Sequence, residues 1–307
     1  KDDMVSTLLG LPQEFFDLEP IARQPLPGLR RRTRAFVKAQ DGCNHSCSYC
    51  ITTLARGQSR SRSFDQVLGD VQAALDGGAQ EIVLTGVHLG AWGKDFSPPR
   101  QLFDLITRPS ASTSTPRLRL PSLEPWDLQP GFFDLWKNTS LCPHLHLPLQ
   151  SGSALVLKRM NRKISPGAYK KLVAGARSLI PGVAVTTDII VGFPGETEAE
   201  FLESLEFVQQ MEFTGGHVFT YSARPGTPAA SLPGRIHGTV ARHRSQKMRE
   251  ALSESARAFR KKYLGSTLTV LWESTCACSD PGWKLEGLTG NYLRVTAFSP
   301  EPHPNCL

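Results

Sequence analysis

Residues 43–50 read Cys43-Asn44-His45-Ser46-Cys47-Ser48-Tyr49-Cys50. Cysteines separated by four and then three positions, with one aromatic before the last, put three thiolates on one short loop. Three thiolates can hold three corners of a four-iron cube and leave the fourth iron open to a substrate or cosubstrate. The alternative is a structural zinc site, which takes four protein ligands, commonly as two separated pairs. His45, Cys142, Cys276, Cys278 or Cys306 would have to complete it, and none stands at a familiar zinc spacing. A disulfide framework is disfavoured, because the cysteines number seven and no secretory leader is evident.

Outward from this loop the chain reads as strand, helix, strand, repeatedly. Arg34–Lys38 is a short strand leading into the loop through Gly42. Ser63 and Gln66 form a capping box for a helix with Phe64, Val67, Leu68, Val71 and Leu75 on one face, and Gly77-Gly78 stops it. Glu81–Thr85 is a buried strand. A helix with Leu102, Leu105 and Ile106 follows, then a strand at Arg117–Leu120, a short helix over Phe132–Trp136 and a strand at His144–Pro148. Leu155–Met160 is helical. Ser165-Pro166 starts the next helix, and β-branched residues make Val183–Ile190 the fifth strand. Thr197 and Glu200 cap another helix. His217–Tyr221 is the sixth strand, and a long helix covers Val240–Leu264.

Six strands alternating with helices predict an α/β fold with a parallel sheet and right-handed crossovers. In barrels of this kind the chemistry gathers at the strands' C-terminal ends. There the sequence puts the cysteine loop, Thr85–Gly90, Ser122–Pro125, Gln150–Ser153, Gly192–Glu196 and Ser222–Gly226. His88, His144, His146 and His217, near strand ends, read as packed or hydrogen-bonded histidines rather than metal ligands. Cys142 lies at the opposite end and reads as a buried thiol. From Ser266 the pattern changes to short strands at Leu268–Trp272, Lys284–Gly287 and Tyr292–Thr296, a small antiparallel unit. The proline-bearing tail after it reads as disordered. The expected domains are a linker and the tail of a preceding domain over residues 1–32, the barrel over 33–264 and the β unit over 265–307. In the first of these, Arg30, Arg31, Arg32 and Arg34 form a basic run, read equally as a solvated linker or a phosphate contact.

Length bounds this to one large domain with a small one: 307 residues, 40% hydrophobic and 21% charged. No run of about eighteen apolar residues supports a membrane span, so the expectation is a soluble, cytoplasmic protein. The net charge of +7 favours a polyanionic partner.

The loop resembles the CxxxCxΦC loop of radical S-adenosylmethionine (SAM) enzymes. With QDGCNHSCSYC, ARGQSRSR, EIVLTGVHLGAWG, SLEPWD, HLHLPLQSGS, LKRMNRK, TTDIIVGFPGET and YSARPGTPA, the chain is similar to the methylthiotransferases of that superfamily from about Arg34 to Val295. The resemblance implies a partial (β/α)6 TIM-like barrel of radical SAM type followed by a TRAM-like, RNA-binding β unit. It implies that Cys43, Cys47 and Cys50 hold a [4Fe–4S] cluster, that its open iron takes SAM, and that Tyr49 packs near the adenine. Gly86, Glu124, Gln150, Ser151 and Gly192 are the candidates for lining the SAM site. Arg56, Arg60, Arg62, Arg242, Arg244 and Lys247 are the candidates for RNA.

TGVHLG resembles the branch that adds a methylthio group to C2 of N6-threonylcarbamoyladenosine at position 37 of tRNA. The implied partners are the tRNA anticodon stem-loop and an electron donor such as flavodoxin or ferredoxin. The alternatives are isopentenyladenosine tRNA or a ribosomal protein as substrate, or an RNA-binding protein with a merely structural cluster. The family also carries a second [4Fe–4S] cluster in an N-terminal domain, for which this chain holds no further cysteine set.

Overall fold

A computed structural model describes residues 33–112, 116–137, 140–277 and 282–307. The expectations for residues 1–32 and for Cys278 lie outside the described residues.

Strand β1, Arg34–Asp41, pairs in parallel with β3, Glu81–Gly86, and β3 with β4, Leu118–Arg119. Between β1 and β3 run a short helix α1, Thr52–Arg56, a two-residue strand β2, Arg60–Ser61, and helix α2, Phe64–Asp76. β2 returns antiparallel on the end of β1, Gln40 facing Ser61, a hairpin too short for period-2 reading. Helix α2 begins at the expected reciprocal cap: Ser63 accepts from the Gln66 N–H, and Gln66 reaches back to the Ser63 N–H. Helix α3, Leu102–Ser112, leads to β4.

A second parallel sheet contains β5, His144–His146, β6, Ala184–Val191, and β7, Gly215–Thr220. Its crossovers are α4, Ala154–Arg159, α5, Pro166–Leu179, and α6, Glu198–Gln210. Among the described residues the two sheets meet through two single parallel bridges, Leu118 with Leu141 and Ser122 with His146. One core nevertheless runs through both, from Val37, Ile82 and Trp92 to Leu145, Tyr169, Val185 and Phe213. Helix α7, Gly238–Lys261, then packs on α6 and β7.

Strands β8, Val270–Ala277, β9, Trp283–Thr289, and β10, Arg294–Ser299, form the antiparallel sheet. The tail is ordered, contrary to the sequence reading. The Trp272 N–H donates to the Cys306 carbonyl at 2.9 Å, and the Asn305 side chain donates to the Gly78 carbonyl at 2.8 Å. Proline removes donors but leaves Asn305 and Cys306 free to pair.

This sheet is fixed to the N-terminal ends of β3 and β4 by buried charge. Glu81, fully buried, takes Arg119 Nε at 2.6 Å and Arg117 Nη2 at 2.8 Å. The same two guanidiniums donate to the carbonyls of Leu288 and Thr289 at the end of β9 and of Gly290 in the turn after it. Tyr292 stacks on His144 at 4.2 Å and lies under Arg119. Removing one member of a buried ion pair strands its partners, at about 3–5 kcal/mol. Glu81→Ala is therefore expected to lower the unfolding free energy by about that amount in urea denaturation, whereas the exposed Glu203→Ala changes it by less than about 0.5 kcal/mol.

Candidate active site

The cysteine loop leaves the C-terminal end of β1 through Gly42, whose φ is +71°. A Cβ there would lie 2.0 Å from the Gln58 carbonyl oxygen, so only glycine fits. Cys43 N–H donates to the Gly57 carbonyl at 3.1 Å, and Thr53 Oγ1 bonds the carbonyls of Cys43 and His45 at 3.0 and 2.9 Å.

The far side of the loop is held by the end of helix α4. The last carbonyls of a helix have no partner within it. Here Ser48 takes two of them: its N–H donates to the Met160 carbonyl at 3.0 Å and its hydroxyl to the Arg159 carbonyl at 2.8 Å. Asn161 follows in the left-handed region, φ +55°, and its amide bonds the Ser46 carbonyl at 2.8 Å. Tyr49 packs against Val156, Met160, Phe193 and Ala229, and burial pushes its phenol well above its usual range.

Arg162 then turns inward, its side chain 1% exposed. It forks onto both oxygens of Glu124 at 3.1 and 2.7 Å, donates to the Pro148 carbonyl at 2.6 Å and lies over Trp126 at 4.3 Å. One nitrogen comes within 4.0 Å of the Cys47 sulfur. Burial opposes its charge, but Glu124 and its other neighbours hold it protonated. Glu124, placed by sequence among the cosubstrate candidates, thus has both oxygens committed to a cation.

The loop after β3 is tied to the cysteine loop by Gln40. This fully buried side chain accepts from the His88 N–H at 2.7 Å and donates to the Gly42 carbonyl at 2.7 Å. His88 Nε2 is hydrogen-bonded to Asp127, whose other oxygen takes Lys94 at 2.8 Å. Burial works against the imidazolium, yet Asp127 and Cys43 raise its pKa to about 9. His45 behaves oppositely: burial first, then the His88 charge, lowers it to about 4, and its Nε2 accepts from Trp126 at 3.1 Å.

Among the described residues, His45, His88 and Asp127 are the one trio of ligand-type atoms within 4.8 Å of one another. His88 and Asp127 are already bonded to each other, Asp127 also to Lys94 and His45 to Trp126, and His88 holds a proton where a metal would need a lone pair. The three cysteine sulfurs do not form so tight a trio.

The other candidates are placed as follows. Gly86 borders Gln40: a Cβ there would lie 3.0 Å from Gln40 Oε1. Gln150 has φ +72° and bonds its backbone to Asp188 and Ile190 on β6. Ser151 is fully buried, and its hydroxyl accepts from the Ser153 N–H at 3.2 Å. Gly192, φ +71°, donates its N–H to Glu196 at 2.7 Å. Glu196 in turn is bonded by Arg244 at 2.8 Å.

That bond corrects the reading of Arg244. It is buried, with its guanidinium on Glu196 and Glu198 rather than facing RNA. Arg62 is likewise committed, to Asp70 and the Lys38 carbonyl. Arg56, Arg60 and Arg242 are exposed and Lys247 half-buried. Sequence reasoning missed Gln40, Trp126, Asp127 and Arg162. The last three lie inside SLEPWD and LKRMNRK, which only their company with the cysteine loop makes noticeable.

The cysteines differ in the protein alone. Burial raises Cys43, but the His88 ring and the His45 N–H outweigh it and lower its pKa, whereas burial raises Cys47 despite Arg162. A lower thiol pKa means more thiolate at a given pH. In the iron-free protein at pH 7.5, iodoacetamide should therefore label Cys43 ahead of Cys47, read by peptide mass spectrometry.

Comparison with known proteins covers the same ground. Residues 37–208, more than half of the chain, match the family described as the Radical SAM superfamily. The chain is 36% identical over 274 residues to the threonylcarbamoyladenosine tRNA methylthiotransferase MtaB of Bacillus subtilis, covering 88% of this chain and 60% of that protein. It is 38% identical over 256 residues to the MtaB of Thermotoga maritima, covering 83% and 58%. It is 37% identical over 262 residues to the tRNA-2-methylthio-N(6)-dimethylallyladenosine synthase of Clostridium tetani, covering 85% and 58%. The chain thus spans about three-fifths of these curated relatives. Among solved structures, the fold is similar to coproporphyrinogen III oxidase (HemN) of Escherichia coli, described as a radical SAM enzyme. That match has a TM-score of 0.55 at 14% identity, over 90% of this chain and 70% of that one. TsrM of Kitasatospora setae, with tryptophan and a SAM analogue bound, gives 0.55 at 17% identity, over 65% and 38%. With the matched span running from β1 through α6 and enclosing the cysteine loop, the chain belongs to the radical SAM superfamily.

Proposed function

We propose that this chain is the radical SAM and RNA-docking portion of a tRNA methylthiotransferase acting at C2 of N6-threonylcarbamoyladenosine, position 37. The observation that carries the reading is the three-cysteine loop, held at the C-terminal end of a parallel strand by Gly42 on one side and by Ser48 and Asn161 on the other. Cys43, Cys47 and Cys50 are assigned to a [4Fe–4S] cluster. When bound, that cluster with SAM supplies one-electron cleavage of SAM to a carbon radical, chemistry no side chain provides at an unactivated aromatic carbon.

The chain's own residues hold and orient. Ser48, Asn161 and Arg162 fix the loop, and Tyr49 gives it an apolar flank. The SAM-lining role goes to Gly86, Glu124, Gln150, Ser151 and Gly192. Glu124 and Ser151 serve there by shaping the wall, since their polar atoms already have partners. The six parallel strands are read as one partial (β/α)6 barrel across both sheets. The terminal antiparallel sheet is read as a TRAM-like RNA-binding unit.

Arg56, Arg60, Arg242 and Lys247 are the remaining cations assigned to the anticodon stem-loop; each phosphate neutralised contributes to a salt-dependent affinity. Flavodoxin or ferredoxin is the expected reductant and the cytoplasm the expected compartment. No helix among the described residues is long and apolar enough to cross a membrane. SAM cleavage is the step assigned to this chain. The branch choice rests on TGVHLG and on the MtaB relatives' names, against the dimethylallyladenosine synthases that match at similar identity.

Anaerobic reconstitution should load about four irons per chain, and dithionite with SAM should then release 5′-deoxyadenosine. Cys47→Ala should abolish both; a fully loaded chain that leaves SAM intact would reduce the cluster to a structural role. Binding to an anticodon stem-loop should weaken steeply with salt, and Arg60→Ala should lower the slope of log K against log salt by about 1. In cells lacking the full gene, tRNA nucleoside mass spectrometry should show loss of the methylthio form of threonylcarbamoyladenosine. Loss of the dimethylallyl form instead would assign the other branch.

A further inference from the structure

A cavity of about 710 Å³ opens where the ends of β6 and β7 meet the start of α7. The polar residues lining it are Thr220, Tyr221, Ser222, Arg235, His237 and Arg242, and no carboxylate lines it. Arginines elsewhere in the chain are spent: Arg62, Arg119, Arg159, Arg162 and Arg244 each hold an acid. Arg235 and Arg242 are exposed, and neither guanidinium has an ion pair or a hydrogen bond among the described residues. Arg242 folds back over the start of its own helix, with Nη1 3.7 Å from where a Cβ on Gly238 would lie. Gly238 is the first residue of α7. The N-terminal end of a helix is positive and repels a cation, and its first amides have no partner within the helix. Two guanidiniums and a positive helix end thus share one recess, each raising the energy of the others until an anion joins them.

The wall between this cavity and the cysteine loop carries an unused donor. Tyr221 Oη is buried without a hydrogen-bond partner, and its ring meets Phe193 edge-on at 5.3 Å. Phe193 belongs to the apolar cluster that receives Tyr49. Ala229, also on the wall, donates its N–H to the Ser48 carbonyl at 2.8 Å.

From this arrangement we infer that the cavity is a phosphate seat. Arg235, Arg242, the first amides of α7 and the Tyr221 hydroxyl hold one backbone phosphate of the bound RNA. Guanidinium forks match phosphate oxygens, and helix N-termini are ready anion sites. The volume falls among the roughly 300–1,000 Å³ of small-molecule pockets, so the attached nucleoside fits beside the phosphate. Arg249 and Arg260 stand seven and eighteen residues beyond Arg242, close to two and five helical turns, and both are exposed. That row of cations on one flank of α7 suits an extended backbone rather than a lone nucleotide. The seat rests on the RNA assignment above and adds Arg235 and Tyr221 to it.

The test is binding of a labelled anticodon stem-loop to the full chain, read by fluorescence anisotropy at low salt. A set of stem-loops, each with one phosphate replaced by an uncharged methylphosphonate, is compared on wild type and on the Arg235→Ala/Arg242→Ala double variant. The double variant should bind the unmodified stem-loop about tenfold more weakly. One methylphosphonate position should weaken wild type by a similar factor and leave the double variant unaffected, because it removes the phosphate those arginines hold. Tyr221→Phe should cost less, and at the same position. If every methylphosphonate weakens the double variant as much as wild type, the arginines act only as diffuse charge and the seat is overturned. A wild-type chain that binds no stem-loop refutes the RNA assignment instead, and inorganic phosphate then probes the cavity. Broadening of its phosphorus-31 resonance by wild type but not by the double variant upholds a phosphate site for a smaller ligand; equal spectra overturn it.

Discussion

One buried guanidinium holds the mouth of the fold together. Arg162 reaches Glu124 from the loop after β4, Pro148 from the loop after β5, the Trp126 ring and the Cys47 sulfur. A buried cation is costly unless it is paired, so these segments close where Glu124 and the Pro148 carbonyl both meet the guanidinium. The cysteine loop is the part that gains. It has no regular structure between Gly42 and Ile51, and its order is borrowed from the end of helix α4 and from this charge.

The electrostatics of the loop follow from the same packing. Burial raises thiols, and adjacent cations lower them. At Cys43 the neighbour wins; at Cys47 burial wins even with Arg162 beside it. The asymmetry is imposed by the protein, before any metal, and comes from which loops cross above each sulfur.

Much of this was legible in the sequence because it is local. Capping boxes at Ser63 and Thr197 and the Ser165-Pro166 start need only residues three or four apart. The long strands β1, β3 and β6 announce themselves by runs of apolar residues. The cysteine spacing is local too. What stayed hidden depends on residues far apart in the chain. Nothing near Arg244 says that it will be buried on Glu196 rather than facing solvent, because the two meet only after α6 and α7 pack. The same holds for Gln40, a polar residue at a strand end that becomes the joint between two loops. The two-residue strands β2 and β4 are too short for periodicity, and the Asn305–Cys306 pairing with β8 is masked by the prolines around it.

The distribution of buried charge explains how two short sheets act as one. Between β4 and β5 the ladder is reduced to single bridges, Leu118 with Leu141 and Ser122 with His146. A seam with so few backbone hydrogen bonds is the weak line of a parallel sheet, and both ion-pair knots lie along it. At the mouth, Arg162 joins Glu124, on the β4 side, to Pro148, on the β5 side. At the base, Glu81 holds Arg117 and Arg119 from β4 and its approach, and these grip the end of β9 and the turn after it. That turn brings Tyr292 onto His144 of β5, closing the same seam from below. Charged knots are a costly way to join sheets in free energy but a specific one, since a slipped register would leave a buried guanidinium without its carboxylate. The seam thereby keeps the loops after β4 and β5 in fixed relation to the cysteine loop.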